Sequence, residues 1–227
     1  MSVVSPEFRS RFRSRIEGPV AGFFGRLGLT PNALTLIGFG IAVIGAVLAG
    51  IQWWFVAGIV VAFGAAFDLF DGALARATGT SSKLGAFMDS VFDRAGEGVV
   101  YIGIVYGLAQ VGDPGLVSVG ATVTAAAMAA AFMVSYSRAK SENLGFSSGS
   151  GIANVGLAPR EVRSVMLSVG MVFAGLLVTN TGRTPETWWI VLVGTLALIA
   201  ILATITTIQR IRFVYNQSKS TNQEVQE

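Results

Sequence analysis

Six stretches of the chain, residues 33–50, 52–72, 84–110, 115–137, 163–181 and 187–209, are apolar over lengths near or above the width of a lipid hydrocarbon core. A helix needs roughly 20 residues for that crossing. A soluble core built from 227 residues could not hide so much apolar surface, since 52% of the side chains are hydrophobic and only 13% charged. Within hydrocarbon every backbone N–H and C=O must be paired, either inside a helix or around a closed barrel, and the period-two alternation of a barrel is missing. The expected fold class is all-α: a polytopic membrane protein with six transmembrane helices.

Residues 1–32 carry Arg9, Arg11, Arg13, Arg15 and Arg26 among Phe8, Phe12, Ile16, Phe23 and Phe24, the pattern of an N-terminal juxtamembrane amphipathic helix lying on an anionic lipid surface. The stretch is too polar for a signal peptide. Basic residues cluster here, after span 2 (Arg76, Lys83), after span 4 (Arg138, Lys140, Arg160, Arg163) and at the C-terminus (Arg210, Arg212, Lys219), while the opposite side holds little beyond Arg183. The positive-inside rule then puts both termini on the cytoplasmic side of the cell's inner membrane. The formal net charge of +3 reports contact with membrane lipids, and no nucleic-acid motif accompanies it. Three segments are expected: the surface helix 1–32, one membrane domain over 33–216, and a polar tail over 217–227 that frays. A Gly- and Ser-rich loop is expected across 138–163.

The chain has no Cys and no His, which excludes disulfides, thiol nucleophiles, imidazole catalysis and most zinc sites. Carboxylates stand out instead. Asp68 and Asp71 fall at the end of span 2, and Asp89 and Asp93 in the first turns of span 3. An unpaired charge at such depth costs on the order of 3 kcal/mol. The i,i+3 and i,i+4 spacings give each pair one helix face, so two facing helices would gather four carboxylates. Four such groups need counter-charge, and without His or Cys the fitting partner is a hard cation, Mg²⁺, Mn²⁺ or Ca²⁺. Acidic clusters that hold two such ions serve phosphoryl-type transfer. Gly72 and Ala75 leave room for close approach, Arg76 offers a planar cation for phosphate, and Gly85 precedes Asp89 by one turn.

The segment from Asp68 to Asp93, DLFDGALARATGTSSKLGAFMDSVFD, resembles in full the DxxDGxxAR, eight residues, GxxxDxxxD motif of the CDP-alcohol phosphotransferases. The resemblance implies an enzyme in which an alcohol attacks the β-phosphate of a CDP-lipid, a phosphodiester lipid forms and CMP leaves. It also implies that Asp68, Asp71 and Asp89 are metal ligands, and that Asp93 is both a ligand and the catalytic base. The expected cofactor is Mg²⁺, or Mn²⁺ in its place, as two ions. Gly72, Arg76 and Ser82 fall where family members contact the CDP moiety, as does TPNALT, giving Thr30, Pro31, Asn32 and Ala33 as further CDP-lipid contacts. Thr-Pro-Asn is also an ordinary helix start.

The end of span 4, SYSRAKSENLG, is similar to the SYxKARAExxG segment of the bacterial phosphatidylinositol-phosphate synthase branch; REVR at 160–163 stands for its RPER and IQRIR for a QR pair. Lys and Arg are exchanged at Arg138 and Lys140, and REVR lacks the Pro. This resemblance implies that Arg138, Lys140, Arg160, Arg163 and Arg210 bind an acceptor that bears its own phosphate, inositol 1-phosphate before glycerol 3-phosphate, since a neutral polyol gains nothing from such charge. CDP-diacylglycerol is the expected donor, and family members form homodimers.

The alternatives within the class are a phosphatidylglycerophosphate synthase, another acceptor, or an ether-lipid donor. Outside it stands a metal-ion or proton transporter with an acidic midplane site, which would have no need of Gly72, Arg76 and Gly85 at fixed offsets. Arg94 and Glu97 are expected to pair at i,i+3. Trp53, Trp54, Trp188 and Trp189 are expected in interfacial belts, and small residues over Gly40–Gly50 and 125–131 at helix contacts.

Overall fold

The computed structural model describes residues 22, 24, 26–146, 152, 155–181 and 185–224, except for the side chains at 68, 69, 71, 72, 179–181, 185, 186 and 220–224. The proposed surface helix at 1–32 lies for the most part outside the described residues. All regular structure among the described residues is helical: α1 (Pro31–Gly50), α2 (Trp54–Ala77), α3 (Lys83–Leu108), a 3-10 turn at Ala109–Val111, α4 (Pro114–Asn143), α5 (Arg160–Thr181) and α6 (Pro185–Glu224).

The sequence sets where several of these helices begin. Thr30 caps α1, its Oγ1 accepting the Ala33 N–H at 3.2 Å, with Pro31 in the first turn. Asp113 caps α4 in the same way, accepting from Leu116 at 2.8 Å ahead of Pro114. Ser82 starts α3 by accepting the Gly85 N–H at 2.9 Å.

Four segments are long and apolar enough to cross a membrane: Pro31–Gly50, Pro114–Asn143, Arg160–Val178 and Thr187–Lys219, with Trp54–Phe67 as a shorter apolar stretch. The chain is therefore membrane-embedded. Helix α3 yields no such span because Lys83, Asp89, Asp93, Arg94 and Glu97 interrupt its apolar run. Helix ends differ from the expected spans on the basic side. Helix α4 runs through Asn143 and α6 through Glu224, so the interruption expected at 138–163 shrinks to 144–159. Once a helix leaves lipid, polar residues with good helix propensity extend it at little cost.

The chain forms two compact units, meeting in sequence between Leu108 and Ala109. In the first, α1 packs against both α2 and α3, and among the described residues these two contact each other far less than either contacts α1. The seam between α1 and α3 is made of small residues. A side chain at Gly103 would collide with the Ala46 main chain, and one at Gly107 with Ala49 and Trp54. Gln52, at φ 61° in the turn to α2, donates Nε2 to the Gly107 carbonyl at 2.9 Å. On the α2 side, Phe67 and Leu74 are buried against Leu34, with Phe24 and Phe70 packed around them.

Trp54 and Trp188 are buried, so the expected belt is corrected: only Trp53, 57% exposed, is well displayed. Trp54 turns inward because Gly107 leaves a gap on α3 that its ring fills. In the second unit α6 packs against both α4 and α5, burying Leu192, Leu196, Ile199 and Ala203.

Candidate active site

Three helix ends meet at the aspartate end of the first unit. Helix α2 ends in a tight turn: Thr78 sends its N–H and its Oγ1 back to the Leu74 carbonyl at 2.9 and 2.8 Å, and Gly79 takes φ 66°. After Ser82 the chain enters α3. The start of α1 lies alongside, since a β-carbon at Gly85 would stand 3.1 Å from Ser82 Oγ and 3.3 Å from Asn32 Oδ1. Two residues expected to contact CDP, Asn32 and Ser82, thus converge on the glycine of the aspartate motif. Two helix N-termini, with their unpaired N–H groups and positive dipole ends, open at this place.

Phe67, Phe70 and Leu74 define the core face of α2. On α3, Phe92 stacks on Phe39 of α1 at 5.3 Å between ring centroids, and Gly96 faces Ala42. Asp89 and Asp93 lie on adjoining register positions and are half-buried. The side chains of Asp68 and Asp71 lie outside the described residues, and among the described residues no group of three or more acidic, His or Cys side chains forms a metal site. Arg76 is exposed in the last turn of α2. Thr30 is also exposed and engaged as a helix cap, and Pro31 and Ala33 occupy the first turn it caps. Arg94 pairs with Glu97 at 2.8 Å, as their spacing predicts.

The five basic residues expected to bind the acceptor all belong to the second unit. Arg138 is exposed and paired with Glu142 at 2.8 Å, Lys140 is exposed, and Arg160 is half-buried at the start of α5. Arg163 and Arg210 are buried at 1% and 3% exposure. Arg163 Nη1 donates to the Ala158 carbonyl at 3.0 Å; Arg210 Nε donates to the Val155 carbonyl at 3.1 Å and its Nη1 to the Val134 carbonyl. Arg210 also feels the charges of Arg138, Arg163, Glu142 and Glu161. Arg138, Arg163 and Arg210 are therefore gathered at one end of this unit, with two of the three engaged on main chain. The sequence reading missed Thr206, one turn before Arg210, whose only signal was its place on the same face of an apolar helix.

Residues 28–157 match the CDP-alcohol phosphatidyltransferase family. The archaetidylinositol phosphate synthase of Pyrococcus horikoshii is 36% identical over 89% of this chain and 94% of its own. The phosphatidylinositol phosphate synthase of Mycolicibacterium smegmatis is 32% identical over 88% of this chain and 84% of its own. In fold, the chain is similar to the crystal structure of the Mycobacterium tuberculosis phosphatidylinositol phosphate synthase with CDP-DAG bound, at TM-score 0.72 and 30% identity over 88% of this chain and 94% of that one. The same enzyme in complex with manganese and citrate gives TM-score 0.72 at 29% identity, over 88% of this chain and 89% of that one.

Proposed function

The chain belongs to the CDP-alcohol phosphatidyltransferase family, and on that premise we propose that it transfers the phosphatidyl group of CDP-diacylglycerol to inositol 1-phosphate with release of CMP. The observation that carries the reading is the complete aspartate motif at the ends of α2 and α3, opening where Asn32 and Ser82 meet at Gly85.

In this reading the diphosphate of the donor lies at the N-termini of α1 and α3, beside Thr30, Asn32, Ala33 and Ser82; Pro31 lacks the N–H and only sets the turn, and the Ala33 N–H is held by the Thr30 cap. Gly72 admits the nucleotide to the α2 backbone and Arg76 supplies a planar cation for phosphate. An all-carboxylate donor set fits hard divalent cations, so Asp68, Asp71, Asp89 and Asp93 would hold two Mg²⁺, or Mn²⁺ in its place. When bound, such ions neutralise phosphate oxygens and lower the pKa of a nearby hydroxyl. Asp93 accepts the proton of the acceptor hydroxyl. That oxygen then bonds to the β-phosphorus, the bond from the β-phosphorus to the bridging oxygen breaks, and CMP departs with that oxygen. Arg138, Lys140, Arg160, Arg163 and Arg210 serve the phosphate of the acceptor.

Further parts of the proposal are the membrane topology and assembly. All six helices span the inner membrane, residues 1–32 lie on its cytoplasmic face as an amphipathic helix, residues 33–216 act as one domain, and two chains form a homodimer. Both termini and the active site face the cytoplasm, where the basic residues are concentrated.

The test is CMP release by purified protein supplied with CDP-diacylglycerol and Mg²⁺, with inositol 1-phosphate, glycerol 3-phosphate, free inositol or serine as acceptor. Turnover with inositol 1-phosphate alone is the expected result. Turnover with glycerol 3-phosphate would make the chain a phosphatidylglycerophosphate synthase, and no release with any acceptor would call for other CDP-linked donors first and only then favour a transporter. A second donor reading is favoured by the 36% identity to an archaetidylinositol phosphate synthase. It calls for the CDP-linked ether lipid in the same assay, where preference for that donor would replace diacylglycerol and leave the chemistry unchanged.

A further inference from the structure

Thr206 is fully buried on α6, one turn before Arg210. Its hydroxyl accepts the main-chain N–H groups of both Leu157 and Ala158, each at 3.0 Å, while donating to the Leu202 carbonyl at 2.8 Å. A threonine hydroxyl has one proton and two lone pairs, so all three are in use. Most helical threonines bond only their own preceding turn. This one also fixes a loop nearly fifty residues away, at sequence separations of 49 and 48.

The rest of the junction follows the same plan. Gly156 takes φ +126°, where a side chain is strained, and a β-carbon there would collide with the Thr206 methyl. Arg210 holds the Val155 carbonyl at 3.1 Å. From the α5 side, Arg163 holds the Ala158 carbonyl through Nη1 at 3.0 Å and the Pro159 carbonyl through its own N–H at 3.2 Å. The stretch 155–159 is thus tied to α6 at one end and to the first turn of α5 at the other.

We propose that Thr206 is a positioning residue: by holding Leu157 and Ala158 it sets where α5 starts, and so where Arg160 and Arg163 stand to read the acceptor's phosphate. The proposal rests on the acceptor reading given above. Thr206 itself touches no substrate and acts through the loop.

The experiment compares wild-type protein with Thr206→Val, Thr206→Ser and Gly156→Ala, measuring KM for the acceptor, KM for the CDP-lipid and hydrogen exchange at Leu157 and Ala158. Thr206→Val keeps the shape and leaves two N–H groups without their acceptor. It is expected to raise the acceptor KM about tenfold, hold the donor KM within about twofold, and speed exchange at both amides by about tenfold or more. Thr206→Ser restores the hydroxyl and is expected to return all three towards wild type. Gly156→Ala is expected to repeat the acceptor-selective loss, which covers a Thr206→Val protein that fails to fold.

Unchanged exchange at Leu157 and Ala158 in Thr206→Val would overturn the clamp, whatever the turnover. Equal rises in both KM values, or no rescue by Ser, would reduce Thr206 to general packing and overturn the positioning role. Should the wild type use no phosphorylated alcohol, the functional reading fails; acceptor selectivity fails with it, and the exchange data alone then accept or reject the clamp.

Discussion

Asp93 carries the sharpest single-residue claim, because in the proposed reaction it is the group that takes the acceptor's proton. Asp93→Asn keeps the size and polarity of the side chain and removes its charge and basicity. Turnover is expected to fall by about 10²-fold or more, the usual scale for a lost general base, with CDP-lipid affinity largely retained. Single-turnover CMP release alongside equilibrium binding of CDP-diacylglycerol checks this, and full activity in the variant would end the base assignment. The aspartates were legible in the sequence because a carboxylate at that depth in an apolar run demands a reason. The main-chain contacts of Arg163 and Arg210 were not legible. Their positions read only as cations for phosphate, and in the fold they also hold the Ala158, Val155 and Val134 carbonyls. Nothing local in IQRIR names the partners of Arg210, since both carbonyls come from other parts of the chain.

At the scale of elements, the seam between α1 and α3 depends on glycine. Gly103→Val would drive a branched side chain into the Ala46 main chain, and a collision with backbone is not relieved by changing a rotamer. A loss of about 1–3 kcal/mol is expected, seen as a lower melting temperature in detergent. Gly40→Ala in α1 is the control: a β-carbon there meets nothing within 4 Å, so the variant is expected to melt at or above the wild-type temperature. Equal destabilisation by both would show that helix propensity, not close packing, governs the seam. Helix α3 offers a second check. Ser82→Ala removes the acceptor for the Gly85 N–H, at a cost of about 1 kcal/mol, and is expected to raise the donor KM more than the acceptor KM in steady-state assays. Helix starts were readable from Thr-Pro and Asp-Pro, whose capping chemistry is local. The ends of α4 and α6 were not, because leaving the apolar run was taken for leaving the helix.

For the molecule as a whole, the all-helical membrane architecture followed from apolar run lengths alone, which is physics that needs no tertiary information. The placement of α1 against both α2 and α3 did not. The small residues at the seam let α1 approach α3 closely while it also contacts α2. Burial of Trp54 had the same origin, in a gap that Gly107 leaves on another helix. Because the account assigns the aspartates to divalent cations, a chelator such as EDTA is expected to abolish CMP release, and added Mg²⁺ or Mn²⁺ to restore it. Undiminished turnover in EDTA would remove the metal from the account.

The most direct test of the central claim is to purify wild-type and Asp93→Asn protein, supply each with CDP-diacylglycerol, inositol 1-phosphate and Mg²⁺, and quantify CMP and the lipid product together. The account predicts equal amounts of CMP and phosphatidylinositol phosphate from the wild type and both lowered by about 10²-fold or more in Asp93→Asn. CMP without the lipid product, or the same yields from both proteins, would contradict it.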